Sequence, residues 1–282
     1  MKKLLFVILI ISISLVGCEN NPSEVSGETP VDIVETQKPL KERSDEELLT
    51  YLKESIRVVK NREDFNDKSG ELFYYVQKDY LETDLDDEAI KKIVSNYPKE
   101  DIKTQYDGID EDLTRMYPDD VYYDTTTYTI ANVHNGILTI YINKDYWMGS
   151  PHPYPSFACV NYDLSTGEEY EFPDDKSTEI YDEAAKVWME NAKKLNYEGL
   201  LGDYFREDGS SSKYMNYDDE TQLYYLEDEN VLNEAIHEEL KKGSFEVTDE
   251  KIKFYITAEY SLSSWADKAS YCYVEIDNKW DI

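Results

Sequence analysis

Histidine, cysteine and basic residues are scarce in this chain: three histidines, three cysteines and 29 lysines and arginines against 61 carboxylates in 282 residues. The missing positive charge excludes a nucleic-acid partner, because phosphate backbones bind cationic surfaces. There is no HExxH, no HxxxH pair, no nucleophile elbow and no glycine-rich phosphate loop. His134 precedes Asn135-Gly136, and His237 lies among Glu234, Glu238 and Glu239, so both read as solvated. The acidic clusters Asp84–Glu88 and Asp107–Asp112 lack the alternating ligands, central glycine and closing glutamate of an EF-hand loop. The sequence therefore predicts no metal, no cofactor and no locatable catalytic residue. A glycosidase-like pair among the carboxylates has no sequence signature, since it is defined by a spatial separation.

The one long apolar run stands at the start. Lys2 and Lys3 precede an apolar stretch over residues 4–17, shorter than the ~20 residues a membrane-spanning helix needs. This pattern predicts a signal peptide over 1–17. Leu15-Val16-Gly17-Cys18 resembles the lipobox of bacterial lipoproteins, which implies cleavage before Cys18 and lipidation of its thiol by palmitate-class acyl chains. Two such chains hold a protein stably in a bilayer. The expected location is the extracytoplasmic face of the cell membrane. Removing 1–17 takes away two lysines, leaving 27 basic and 61 acidic residues, a net charge of −34. Such a balance favours solubility and encounter with a cationic partner.

Residues 18–43 are polar, acidic and carry Pro22, Pro30 and Pro39, as a tether would. Residues 44–119 form a helical N-terminal region in this reading. Ser44-Asp45-Glu46-Glu47 is a capping box, and Leu48, Leu52, Ile56 and Val59 follow at helical spacing. Further helices are expected over Leu72–Tyr80 and Asp86–Asn96. From residue 120 to 282 the pattern is α+β: a mixed, largely antiparallel sheet with two packing helices. Asn135-Gly136, within a β-branched and aromatic run from Val121 to Trp147, predicts a type I′ hairpin. Strands are expected over Ser156–Tyr162, Glu168–Phe172, Ser244–Thr248, Ile252–Tyr260 and Ser270–Asp277. One helix carries Ile180, Ala184, Val187, Trp188 and Leu195 on a single face. The other runs from Asp228 to Lys242, with Val231, Leu232, Ala235, Ile236 and Leu240 inward and Gly243 as its stop. Cys159 and Cys272 could pair in an oxidising compartment or remain buried thiols.

Gly149-Ser150-Pro151-His152, then Asn161-Tyr162-Asp163-Leu164-Ser165-Thr166-Gly167, then Phe254-Tyr255 and Tyr260 to Ala266 occur in that order. Together they resemble the extracellular domain of RsiV-type anti-sigma factors, also found in PdaC-type peptidoglycan deacetylases. The resemblance covers roughly residues 120–280. The usual Gly-Ala before the histidine is Ser150-Pro151 here, and Asp267-Lys268 replace small residues. It implies binding at the cell surface, with lysozyme, a cationic enzyme, as the first ligand to consider and peptidoglycan as another.

The expected ligand-binding residues are Trp147, His152, Tyr154, Tyr260 and Trp265, which flank the two motifs. His152, held between Pro151 and Pro153, also reads as a structural residue closing its loop. Two other readings stand beside a binding lipoprotein: a cell-wall modifying enzyme or its accessory domain, and a structural surface lipoprotein.

Overall fold

The structure, a computed structural model, describes residues 39–106, 120–148, 155–194, 215–218, 223–226, 228–256, 273–280 and 282. Pro39–Ile282 forms one compact unit. After a 3-10 turn at Leu40–Glu42, the first helix (α1, Asp45–Ser55) begins on the predicted capping box. Ser44 Oγ accepts from the Glu47 amide at 3.3 Å, and Glu47 Oε2 accepts from the Ser44 amide at 2.9 Å. Leu48 and Leu52 are buried as their spacing predicts, but the helix stops before Val59. The β-branched run Ile56–Val59 is instead a strand, β1.

The region read as helical contains four strands: β1, β2 (Arg62–Asn66), β3 (Leu72–Lys78) and β4 (Tyr80–Thr83). Leu72–Tyr80 is thus a strand segment rather than a helix. Its Phe73-Tyr74-Tyr75-Val76 core prefers a pleated surface, and long-range pairing satisfies its backbone. The four strands form one interrupted hairpin. Val59 pairs with Tyr80 and Arg62 with Gln77 in the same register, and the Lys78 amide donates to Asn61 O across the interruption at 2.8 Å. Asp67 makes its turn, with Oδ1 accepting from the Ser69 and Glu71 amides at 2.9 and 3.0 Å. Helix α2 (Glu88–Ser95), capped by Asp87, and the short α3 (Ile102–Gln105) follow.

Strands β5 (Tyr122–His134), β6 (Ile137–Trp147) and β7 (Ser156–Asp163) complete a five-stranded sheet of order β2-β3-β5-β6-β7. β3 and β5 are parallel, and the remaining neighbours are antiparallel. The turn between β5 and β6 is the predicted one, with Asn135 at φ 48° and Gly136 at φ 76°. The expected strand at Glu168–Phe172 shrinks to a single bridge, Tyr162 to Glu169. Helix α4 (Asp174–Lys194), the ribbon β8–β9 (Met215–Asp218, Leu223–Leu226) and helix α5 (Glu229–Lys242) lead to a second antiparallel sheet. That sheet is β10 (Ser244–Val247), β11 (Lys251–Tyr255) and β12 (Tyr273–Asp277), in that order. The architecture is α+β.

One face of the large sheet packs Ile130, Leu138, Ile140 and Tyr162 under α1 and α2. A second core joins Ile180, Ala184 and Trp188 of α4, Leu232, Ile236 and Leu240 of α5, and Phe254 and Ile276 of the small sheet. Val231, expected inward, is exposed, and Leu195 lies outside the described residues. Gly243 ends α5 with ordinary φ, and the reason for glycine is space: a Cβ would meet Tyr255 O at 2.5 Å.

The two sheets meet through polar side chains. Phe245 O on the edge strand β10 accepts from Asn161 Nδ2 at 2.5 Å and from the Cys159 thiol at 3.1 Å, and Val247 O accepts from Asn132 Nδ2 at 3.0 Å. Side chains of one sheet therefore satisfy the edge carbonyls of the other, which protects an otherwise open edge. His134 belongs to this seam. It is buried rather than solvated, with Nε2 2.8 Å from Ile282 O and Nδ1 3.1 Å from Asp249 Oδ1.

Candidate functional site

Of the five expected binding residues, Trp147 is described, at the end of β6. His152, Tyr154, Tyr260 and Trp265 lie outside the described residues, as do Cys18 and Cys272. The strands leading into the two motif segments do come together. The ring of Phe157, near the start of β7, lies 4.6 Å from that of Tyr255, at the end of β11. Phe157 also packs edge-on against Tyr141 at 5.0 Å.

Glu246 anchors this corner. Its Oε2 accepts from Tyr141 OH at 2.8 Å and from Tyr255 OH at 3.1 Å. Burial and then Glu246 push the Tyr141 phenol up to about 12, and burial, Tyr141 and then Glu246 push Tyr255 higher still. Both phenols are therefore fixed donors at neutral pH, and the cluster is a rigid acidic-aromatic corner.

Alternation along β6 puts Tyr141, Asn143, Asp145 and Trp147 on one face of the sheet. Across the strands, Tyr75 pairs with Tyr123 and Tyr123 with Trp147. A row of planar groups results: the Arg62 guanidinium 3.9 Å over Tyr75, Tyr75 stacked on Tyr123 at 5.6 Å, and Tyr123 against Trp147 at 6.3 Å. Asp145 sits beside this row. Its Oδ2 accepts from Tyr123 OH at 3.3 Å, while Oδ1 is buried with no hydrogen-bond partner among the described residues. A buried carboxylate oxygen without a donor is costly and is uncommon away from functional sites.

On the opposite face, Lys78 Nζ lies 2.5 Å from Asp124 Oδ1, whose Oδ2 accepts from Tyr106 OH at 2.7 Å. That half-buried trio closes the smallest core, with Phe73, Tyr74 and Tyr122.

A cleft of about 720 Å³ lies between β7, residues 169–174 and the facing turns of α4 and α5. His237 lines it, with Nε2 3.4 Å from Asp182 Oδ1. Five carboxylates hold their protons less tightly than usual: Asp84, Asp86, Asp101, Asp163 and Asp277. All five lie below the usual range, held there by hydrogen bonds from Arg57, Lys91, Thr104, Ser165 and Lys251 respectively. Their roles are in ion pairs, helix capping and turns. A general acid would need a shift in the other direction.

Cys159 is a free, buried thiol whose pKa burial pushes up to about 12, and Cys272, with which it could pair, lies outside the described residues. Sequence reasoning missed Tyr141, Glu246, Asp145, Tyr123, Tyr75 and Arg62. For Tyr123 and Asp145 the turn alone misleads: pairing extended back from Asn135-Gly136 sets Asp124 opposite Trp147, and the bulge between Ile130 and Asn132 shifts the register by one to bring Tyr123 there instead. Glu246 had none, being 105 residues from Tyr141.

Two solved structures of DUF3298 family proteins are similar to this chain. One, from Pseudomonas aeruginosa PAO1, has a TM-score of 0.42 and 14% identity over 79% of this chain and 88% of that chain. The other, from Bacteroides fragilis NCTC 9343, has a TM-score of 0.44 and 14% identity over the same shares of each chain. No family model and no curated protein matches the sequence.

Proposed function

We propose that this is a lipid-anchored binding protein of the extracytoplasmic membrane face, and that it captures a cationic extracellular protein, lysozyme being the first candidate. The observation that carries this reading is the partly exposed Tyr75–Tyr123–Trp147 row with the Asp145 carboxylate beside it. A guanidinium or ammonium from a partner suits this surface: a cation for the ring faces, next to the negative charge of Asp145. Arg62 already uses Tyr75 in this way. A mature charge of −34 adds long-range attraction for a basic protein. The resemblance of segments 149–167 and 254–266 to RsiV-type ectodomains supports the same choice of ligand, and the Leu15–Cys18 lipobox supports the anchor.

The test is a titration of lysozyme at low and high salt, in parallel with an equally basic unrelated protein. Attraction by net charge alone collapses as the Debye length shrinks from about 10 Å at 0.1 M to about 3 Å at 1 M. A specific interface keeps measurable affinity at high salt and loses it on Trp147→Ala or Asp145→Asn. Equal affinity for both basic proteins, lost together in salt, refutes the reading.

A further inference from the structure

A second site has the opposite polarity. A groove of about 650 Å³ is lined by the end of α1, the whole of β1 with Lys60, and residues 128–130 of β5. In a chain with 61 carboxylates, the charged side chains on this wall are Lys53, Arg57 and Lys60, and no carboxylate is among them. Arg57 is already held by Asp84 at 2.5 Å and Glu82 at 3.4 Å. Lys53 and Lys60 make no ion pair among the described residues. β1 is hydrogen-bonded to β4 on one side only, so its outer edge presents backbone donors and acceptors that no described strand takes up. Val58, on that strand, is one of the few exposed large apolar side chains among the described residues, at 41%.

We propose that the outer edge of β1 docks an acidic peptide in extended conformation. Main-chain pairing along Ile56–Val59 supplies the attachment, as in other strand additions, and Val58 supplies an apolar contact. Lys53, in the last turn of α1 before the strand, and Lys60, just after the strand, select carboxylates on the incoming segment. A second copy of this chain is the weaker occupant. It would set the same lysines against each other and bring a net charge of −32 toward another −32.

Salt dependence distinguishes this site from simple charge attraction. At about 0.01 M salt the Debye length is ~30 Å, and the acidic chain as a whole repels an acidic peptide. At about 0.15 M it is ~8 Å, so the local lysines dominate, and near 1 M they too are screened. Affinity therefore peaks at intermediate salt.

The experiment titrates the blocked hexapeptide Glu-Val-Glu-Val-Glu-Val into the full chain and follows the amide resonances of residues 56–60. Its glutamine counterpart is the control. The expected result is binding with a maximum near 0.15 M salt, at least tenfold weaker for the glutamine peptide. The paired substitution Lys53→Glu and Lys60→Glu should weaken it at least tenfold. The milder pair Lys53→Gln and Lys60→Gln serves if charge reversal lowers the melting temperature. Equal binding of the two peptides, or unchanged binding by the lysine variants, overturns the proposal. So does sedimentation as a dimer that occupies the edge. This site is independent of the surface around Asp145, and either can fail without the other.

Discussion

Gly167 closes the turn after β7, and its replacement separates two physical effects that glycine substitutions usually mix. Its φ is +70°, and a Cβ built there would lie 2.5 Å from Ala89 O and 2.9 Å from Ala89 Cα, both backbone atoms of α2. Gly136 is a natural control, because its φ is +76° but a Cβ there would meet nothing within 4 Å. For Gly136→Ala only the left-handed backbone costs, about 1 kcal/mol. For Gly167→Ala the same backbone term is joined by a clash that no side-chain rotation relieves. Either the turn lifts off α2 or α2 moves, and α2 holds Ile90 and Ile93 fully buried in the core. Overpacking of this kind costs about 1–3 kcal/mol, so Gly167→Ala should lose about 2–4 kcal/mol in total. In a domain of this size 1 kcal/mol lowers Tm by roughly 2–4 °C. Thermal and urea melts of the two variants should therefore separate by several degrees, with unchanged urea m-values. Gly167→Asn sharpens the test, because asparagine tolerates positive φ but still carries the Cβ. If Gly167→Asn is benign, or if Gly136→Ala and Gly167→Ala cost the same, the contact between this turn and α2 is wrong.

Cys18→Ser should move the protein from the detergent-rich to the aqueous phase, and an unchanged membrane fraction would refute lipidation. Cys159 should resist iodoacetamide at pH 8 in the native protein, since burial and a pKa near 12 suppress its thiolate, and should react fully in denaturant. Labelling that requires prior reduction would instead indicate a disulfide with Cys272. Asp163 lies below the ordinary carboxylate range because Ser165 donates to it, so its stabilising contribution is complete above about pH 4. The stability gap between the wild type and Asp163→Asn should therefore be constant from pH 5 to 7 and close as pH falls through the depressed value. A gap that widens in acid contradicts the assignment.

The sequence was legible where structure is local. The capping box at Ser44, the Asn135-Gly136 turn and the buried faces of α4 and α5 depend on neighbours a few residues away. The hairpin from Ile56 to Thr83 was not legible. Leu72–Tyr80 carries apolar residues at spacings compatible with a helix, and the competing strand lies across a turn whose signal is a single aspartate and Gly70, at φ 88°. Its fate was settled by pairing with β2 on one side and with β5 on the other, the latter from nearly 50 residues downstream. Two edges of hydrogen bonds outweigh a weak helical preference.

The candidate site shows the same division. Trp147 could be named because it ends a recognisable strand beside a motif. Asp145 could be placed only once the hairpin register was known, and Glu246 only once the small sheet had docked. The docking itself ran against the usual reading of polar alternation. Asn132, Thr139 and Asn161 alternate as a solvent-facing stripe would, and His134 reads as solvated because it precedes the Asn135-Gly136 turn. They line the seam instead: Asn132 and Asn161 donate to edge-strand carbonyls 115 and 84 residues away, Thr139 donates to Asn161 Oδ1, and His134 meets Ile282 O. Polar residues facing another sheet's edge are needed because that edge carries backbone acceptors, which an apolar surface would bury at a cost of several kcal/mol. The corner formed by Tyr141, Glu246 and Tyr255 is one end of that seam. The polar contacts that hold the two sheets together therefore also fix where the two motif segments leave the core.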